Sequence, residues 1–285
     1  MEDYKTANGF GIHARRIIAY IVLIFITVMC LFWFYILFVN SSRSNSELNK
    51  GFTLLFSNNL ATNWKNLIQG TLPVWNGLLN SLIVASASAI LCTYFSAMTA
   101  YGVHVYRFAG RKVIATFILA VMMIPTQVTA LGFLQMVNQA GLDDSFIPLI
   151  VPTIAAPVTY FYMKQYLDSA LPLEIVESSR IDGASEIRTF NQIVFPVIKP
   201  AIAVQLIFTF VQNWNNYFTP ALILHEETKK TLPVLIAELR SADFLKFDMG
   251  QVYIMISFSI LPVIIVYLIL SKYIVEGVTA GAVKG

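Results

Sequence analysis

Four carboxamides stand around two aromatic rings in "VQNWNNYF", where Gln212, Asn213, Asn215 and Asn216 flank Trp214 and Tyr217. An amide offers a donor and an acceptor together, and an aromatic face accepts C–H groups. The set therefore suits a ligand with hydroxyls at its edge and C–H bonds on its faces, such as a sugar. A second reading stays open, because aromatic residues also form belts at membrane interfaces and amides pack between spans. Gln127, beside Pro125, and Gln205 are further polar residues in apolar surroundings, where polar groups face protein or water rather than lipid. The patterns of catalysis are missing. "HEETK" at His225 has Lys229 where a zinc-protease helix needs its second His, and "GVTAGAVKG" lacks the GxxxxGK[ST] spacing that cradles phosphates. His13, His104 and His225 are scattered, and no nucleophile lies beside a base. The chain is expected not to be an enzyme and to hold no cofactor or metal of its own.

Those residues need elements to position them, and composition says which kind. Of 285 residues, 57% are hydrophobic and 12% charged, with a mean hydropathy of +0.68. A soluble domain carries about 25% charged residues, so this is an integral membrane protein. A net charge of +3 with no basic stripe excludes nucleic acid as a partner. Cys30 and Cys92 both fall in apolar runs, which argues against a disulfide framework. The expected fold class is all-α, a polytopic membrane protein with six transmembrane helices. A span needs about 20 apolar residues, and the runs are Ile17–Val39, Leu78–Val103, Val113–Val137, Ile147–Met163, Ala201–Ala221 and Val252–Val275. The first is too long and aromatic for a signal-peptide core. Pro125, Pro152, Pro157 and Pro262 are expected to bend their helices. Lys and Arg gather on one side of this topology, at Lys5, Arg15 and Arg16, at Arg107, Arg111 and Lys112, at Lys164, Arg180, Arg188 and Lys199, and at Lys272 and Lys284. The positive-inside rule makes that side, with both termini, cytoplasmic.

The most charged stretch, "VESSRIDGASEIRTFNQIVFPVIKP", falls on the same side, in a loop of about 164–200. A mere connector needs only a few residues. "LPLEIVESSR" predicts a short helix with Pro172 near its first turn and Glu174 and Glu177 toward its positive end. Ile187, Phe190, Val194 and Val197 recur at helical spacing and predict a second one. Gly183, in "IDGAS", supplies the positive φ for a corner between them, and Ser185 can cap the second helix. The product is a rigid knob. It either lies on lipid headgroups as an interfacial helix or meets a protein. Its acidic residues and modest Lys and Arg content favour a protein.

"EIVESSRIDGASEIRTFNQIVFPVIKPAI" resembles the EAA loop of bacterial ABC importer permeases, with Glu177, Gly183 and Pro196 at the matching positions and "IDGAS" in the form of carbohydrate permeases. Ser178 and Ser179 replace the paired alanines, and Phe195 replaces the usual Leu before Pro196. "NSLIVA", "MMIPTQV", "GLDDS", "WNNYFTPALIL", "TLPV" and "GVTAGAVKG" extend the resemblance from about residue 75 to the end. The resemblance implies a permease of the binding-protein-dependent carbohydrate-uptake class in the bacterial inner (cytoplasmic) membrane. Residues 1–75 would hold a tail, the first span and an external loop, and residues 76–285 the permease domain, with an EAA-type coupling helix between helices 4 and 5. Implied partners are a second permease subunit in a heterodimeric pore, two ABC ATPase subunits that hold ATP and Mg, an extracytoplasmic sugar-binding protein, the sugar or oligosaccharide, and the bilayer. Glu177, Ser178, Ser179, Asp182, Gly183, Ala184 and Pro196 would meet the ATPase. A permease for a non-sugar solute and an ion-coupled secondary transporter are the alternatives. The second needs intramembrane charges that the six runs almost lack.

Overall fold

The computed structural model describes residues 9–241 and 248–282, and every regular element among them is helical. The chain divides into two compact units, one built from Met1–Gly70 and Arg240–Phe258, the other from Thr71–Leu239 and Ser259–Gly285.

In the first unit α1 (Gly9–Ser41) is an uninterrupted apolar helix. Bulky side chains surround it, and none of its most apolar window is buried. Such an apolar surface suits a helix that crosses a membrane. A four-residue helical turn, Asn45–Leu48, follows, with Ser44 and Glu47 forming a reciprocal capping box, and α2 (Leu60–Gln69) comes after it. Asn63 of α2 is buried and donates to the Ser41 and Arg43 carbonyls, each at 2.9 Å.

The second unit is organised around α3 (Val74–Val105). In lipid, helices gain little from hydrophobic burial against one another, so close contact depends on small residues. The buried side of α3 has them: Ser81, Ala85, Ser88, Ala89, Cys92, Ser96, Ala97 and Ala100. Gly77 shows how tight the seam is, because a Cβ there would lie 2.5 Å from Leu235 Cδ1. Polar side chains pin the segment after residue 226 to the same helix. Asn80 Nδ2 donates to the Thr228 and Lys230 carbonyls at 2.9 and 3.0 Å, and the Leu232 amide donates to Ser81 Oγ at 2.8 Å.

Three of the six apolar runs do not form continuous helices: 201–221 breaks between Trp214 and Phe218, and the other two break at prolines. The run 113–137 is α4 (Arg111–Val121) and α5 (Thr126–Gln139), separated at Pro125, which caps the second. The run 147–163 begins as a helical turn, tightens into a 3-10 turn containing Pro152, and restarts as α6 (Pro157–Ala170) with Pro157 in its first turn. Proline lacks the N–H that would continue an α-helix and restricts the residue before it, so these prolines interrupt rather than bend. After α6 come α7 (Leu173–Ile181) and α8, a composite helix over Glu186–Val197 whose middle, Thr189–Val194, is a π-turn. Next are α9 (Lys199–Trp214), α10 (Phe218–Ile223) and α11 (Leu232–Ser241), then α12 (Met249–Ala282), which does contain its proline, Pro262. Among the described residues three helices, Ala14–Ser41, Val74–Val105 and Met249–Tyr273, are each long and apolar enough to cross a membrane alone. The pair Glu186–Val197 and Lys199–Trp214, bent by 84°, makes a fourth if counted as one span.

Candidate functional site

The knob forms where its local chemistry places it. Pro172 stands at the extended N-cap of α7 and Glu174 in its first turn. The helix ends because Gly183 takes φ +76°, a left-handed conformation that costs most L-residues about 1–2 kcal/mol. The Ala184 amide donates to Ser179 O and the Gly183 amide to Arg180 O, both at 3.0 Å. These two bonds are a Schellman cap. Ser185 then caps α8, its Oγ accepting from the Arg188 amide at 3.4 Å.

The knob's inner side is sealed by three kinds of contact. Ser179 and Thr189, both buried, pair through their hydroxyls at 3.0 Å, and Ser179 Oγ also donates to Val176 O at 2.8 Å. Serine at the first of these positions therefore ties α7 to α8, which alanine cannot do. Phe190 is buried between Tyr94 and Tyr101 of α3, at ring distances of 5.7 and 5.4 Å. Around the rim, Tyr101 donates its hydroxyl to Glu186 Oε2 at 3.1 Å, and Arg180 Nε donates to Glu186 Oε1 at 2.7 Å while its guanidinium lies 5.2 Å from the Tyr106 ring centre. The Glu186 carboxylate pushes the Arg180 guanidinium further toward its charged form. The pairing of Arg180 with Glu186 was not expected, although opposite charges on either side of a glycine corner are its visible signal.

What faces outward differs from expectation at one point. Ile187, expected on the inner face, is 71% exposed, and Ile181 is 86% exposed. The π-turn widens the helix so that Thr189, Phe190 and Val194 form the inward set, leaving Ile187 outside in the first turn. Glu177, Ser178, Asp182 and Gly183 are exposed too, Ala184 is half-buried, and Pro196 is exposed farther along α8. Ser179 is the one member of the expected coupling set that is buried.

The amide and aromatic set is assembled by the end of α9 and the turn into α10. Trp214 is buried: its ring stacks on Phe210 with centroids 5.7 Å apart and planes at 18°, and its Nε1 donates to Ser259 O at 3.1 Å. Asn213 Nδ2 donates to Thr209 O at 2.8 Å, and Asn216 Oδ1 accepts from the Thr219 amide at 3.4 Å. Gln212, Asn215 and Tyr217 are exposed, so the accessible ring of the cluster belongs to Tyr217. Gln205 is buried in α9 and Gln127 exposed at the start of α5, both outside this cluster.

A third polar cluster carries no predicted role. Asp144 Oδ1 accepts from the His225 and Glu226 amides at 2.6 and 2.7 Å, and the Asp144 amide donates to Ile223 O at 3.1 Å. The Glu226 amide, then that of His225, holds this carboxyl below its ordinary range. It latches the turn after α10.

A helical protein with long apolar helices and a π-broken knob has the build of a polytopic membrane protein. Comparison with known proteins gives the family. Residues 89–280 match the model of the binding-protein-dependent transport system inner membrane component, and the chain belongs to that family. Among its relatives, the arabinooligosaccharides transport system permease protein AraQ of Bacillus subtilis (strain 168) is 33% identical over 276 residues, 95% of this chain and 96% of AraQ. The trehalose/maltose transport system permease protein MalG of Thermococcus litoralis is 30% identical over 274 residues, 95% of this chain and 98% of MalG. A chain in the crystal structure of a bacterial ABC transporter involved in the import of the acidic polysaccharide alginate shares the fold, with a TM-score of 0.77 at 21% identity over 96% of this chain and 99% of that one.

Proposed function

We propose that this chain is the pore-forming permease subunit of an ATP-driven importer for sugars or oligosaccharides, paired with a second permease subunit. Two cytoplasmic ATPase subunits hold the ATP and Mg, and an extracytoplasmic sugar-binding protein delivers the solute. In this reading residues 76–285 form the permease domain, residues 1–75 precede it, both termini are cytoplasmic, and the interrupted helices complete six crossings. The single observation that carries the reading is the knob itself. It is a Schellman-capped corner at Gly183 with Ile181 and Ile187 bare at its tip and Glu177 and Asp182 exposed too. Exposed apolar residues with a charged rim suit a protein cleft. Pairing of Ser179 with Thr189 makes the knob stiff enough to report which of two ATPase states it binds, and such differential binding is what shifts a pore between inward-facing and outward-facing forms. The sugar class is supported by the names of the relatives AraQ and MalG and by the exposed Gln212, Asn215 and Tyr217.

Gly183→Val tests the coupling. No neighbour lies within 4 Å of a Cβ there, so the strain comes from the positive φ and not from a collision of that Cβ. The expected outcome is normal membrane insertion with uptake lost; uptake at the parental rate would refute the knob's role. Uptake of a labelled oligosaccharide by vesicles carrying the assembled transporter tests the solute class. Transport of a non-sugar solute alone would move the chain to another class of permease.

A further inference from the structure

The loop that follows α1 is framed like a folded element, yet it turns its largest apolar side chains outward. Arg43, buried, donates to the Glu47 carbonyl and to Gly51 O at 2.9 Å. The Glu47 carboxylate accepts from the Ser44 amide at 2.8 Å, from Ser57 Oγ at 2.9 Å and from Asn59 Nδ2 at 3.0 Å. Held by this frame, Phe52 is 72% exposed, Leu55 76% and Phe56 59%. Water is a poor neighbour for three such residues together.

Depth identifies what covers them. The Tyr35 hydroxyl donates to Leu54 O at 2.6 Å, and the Tyr35 and Phe56 rings meet edge to face at 5.7 Å. Tyr35 belongs to α1, a span with no buried window, and precedes the end of the apolar run at Val39 by about 6 Å at 1.5 Å per residue. The run from Ile17 measures about 35 Å on the same rise, against about 30 Å of hydrocarbon. The loop is therefore tied back to the level where acyl chains meet headgroups, a depth that a soluble partner does not reach. Lys50, exposed at the other end of the segment, suits lipid phosphates.

We propose that Phe52, Leu55 and Phe56 form an interfacial anchor, inserted into the phospholipid surface beside α1 and independent of which solute is transported. The full chain with Cys30→Ala and Cys92→Ala, reconstituted in phosphatidylethanolamine and phosphatidylglycerol vesicles, is given one nitroxide through Phe52→Cys, Leu55→Cys or Lys50→Cys. Molecular oxygen concentrates in hydrocarbon and a nickel chelate in water. Oxygen is expected to relax the labels at 52 and 55 more than nickel does, with the ratio reversed at 50. Nickel dominating at 52 and 55 would put the segment in water, and exclusion of both relaxants would put it under protein; either result overturns the proposal.

Discussion

The knob between α7 and α8 and the loop after α1 solve one problem in two ways. Each must hold apolar side chains outside, Ile181 and Ile187 in one, Phe52 and Leu55 in the other. The knob does it from within, with buried hydroxyls joining two helices and Phe190 wedged between tyrosines of a long span. The loop does it with a carboxylate at its centre, Glu47, collecting an amide, hydroxyls and a side-chain amide in reach of water. A frame built on burial is insensitive to salt and pH, whereas a frame built on an accessible charge is not.

The largest expected effect attacks the buried frame. Phe190→Ala removes the wedge and should cost about 3–5 kcal/mol locally, seen as fast amide exchange across residues 179–194. Slow exchange there would mean that the hydroxyl pair alone holds the knob. Ser179→Ala is smaller, about 1 kcal/mol for a buried hydrogen bond. Combined with Thr189→Val it should cost less than the two single changes added, because each single change already removes the shared bond. Full additivity in that cycle would erase the pairing from the comparison. On the loop, Tyr35→Phe keeps the contact with Phe56 and loses only the bond to Leu54, so a change of about 0.5–1 kcal/mol is expected in exchange of the loop amides. The smallest effect is one of pH. The Ser44 amide, with Ser57, Ser44 and Asn59 side chains, holds the Glu47 carboxyl below its ordinary range. Its contribution is complete above the unfolded-state value and is lost as pH falls through the folded one. Acidification should thus quicken exchange at Ser57 more than at Thr189, whose own partners are the Ser179 hydroxyl and the Ser185 carbonyl; equal response at both would remove the distinction.

Much of the knob was legible because its determinants are local: a glycine for the corner, a serine for the cap, an acidic first turn. Where Ile187 would point was not legible, since a π-turn depends on what Phe190 packs against, far away in α3. Hydropathy located the apolar runs but does not register breaks. Pro125 and Pro157 were the marks of two of them, and they start new helices where bends were expected. Trp214 looked accessible in "VQNWNNYF" because its partner, the Ser259 carbonyl, lies 45 residues on. The frame after α1 did leave a trace, Ser44 and Glu47 at capping-box spacing.

The 84° bend between α8 and α9 turns on Ile198, a fully buried residue. Its amide donates to Val194 O at 3.1 Å and its carbonyl accepts from the Ile202 amide at 3.0 Å, so both helices remain hydrogen-bonded to the pivot. Pro200, in the first turn of α9, has no amide proton to leave unpaired. Measured from that pivot, the two arms are about 18 Å and about 24 Å long. Turning the pair as one angle-iron by about 10° would sweep the far end of α8 through about 3 Å and that of α9, with Gln212 and Trp214, through about 4 Å.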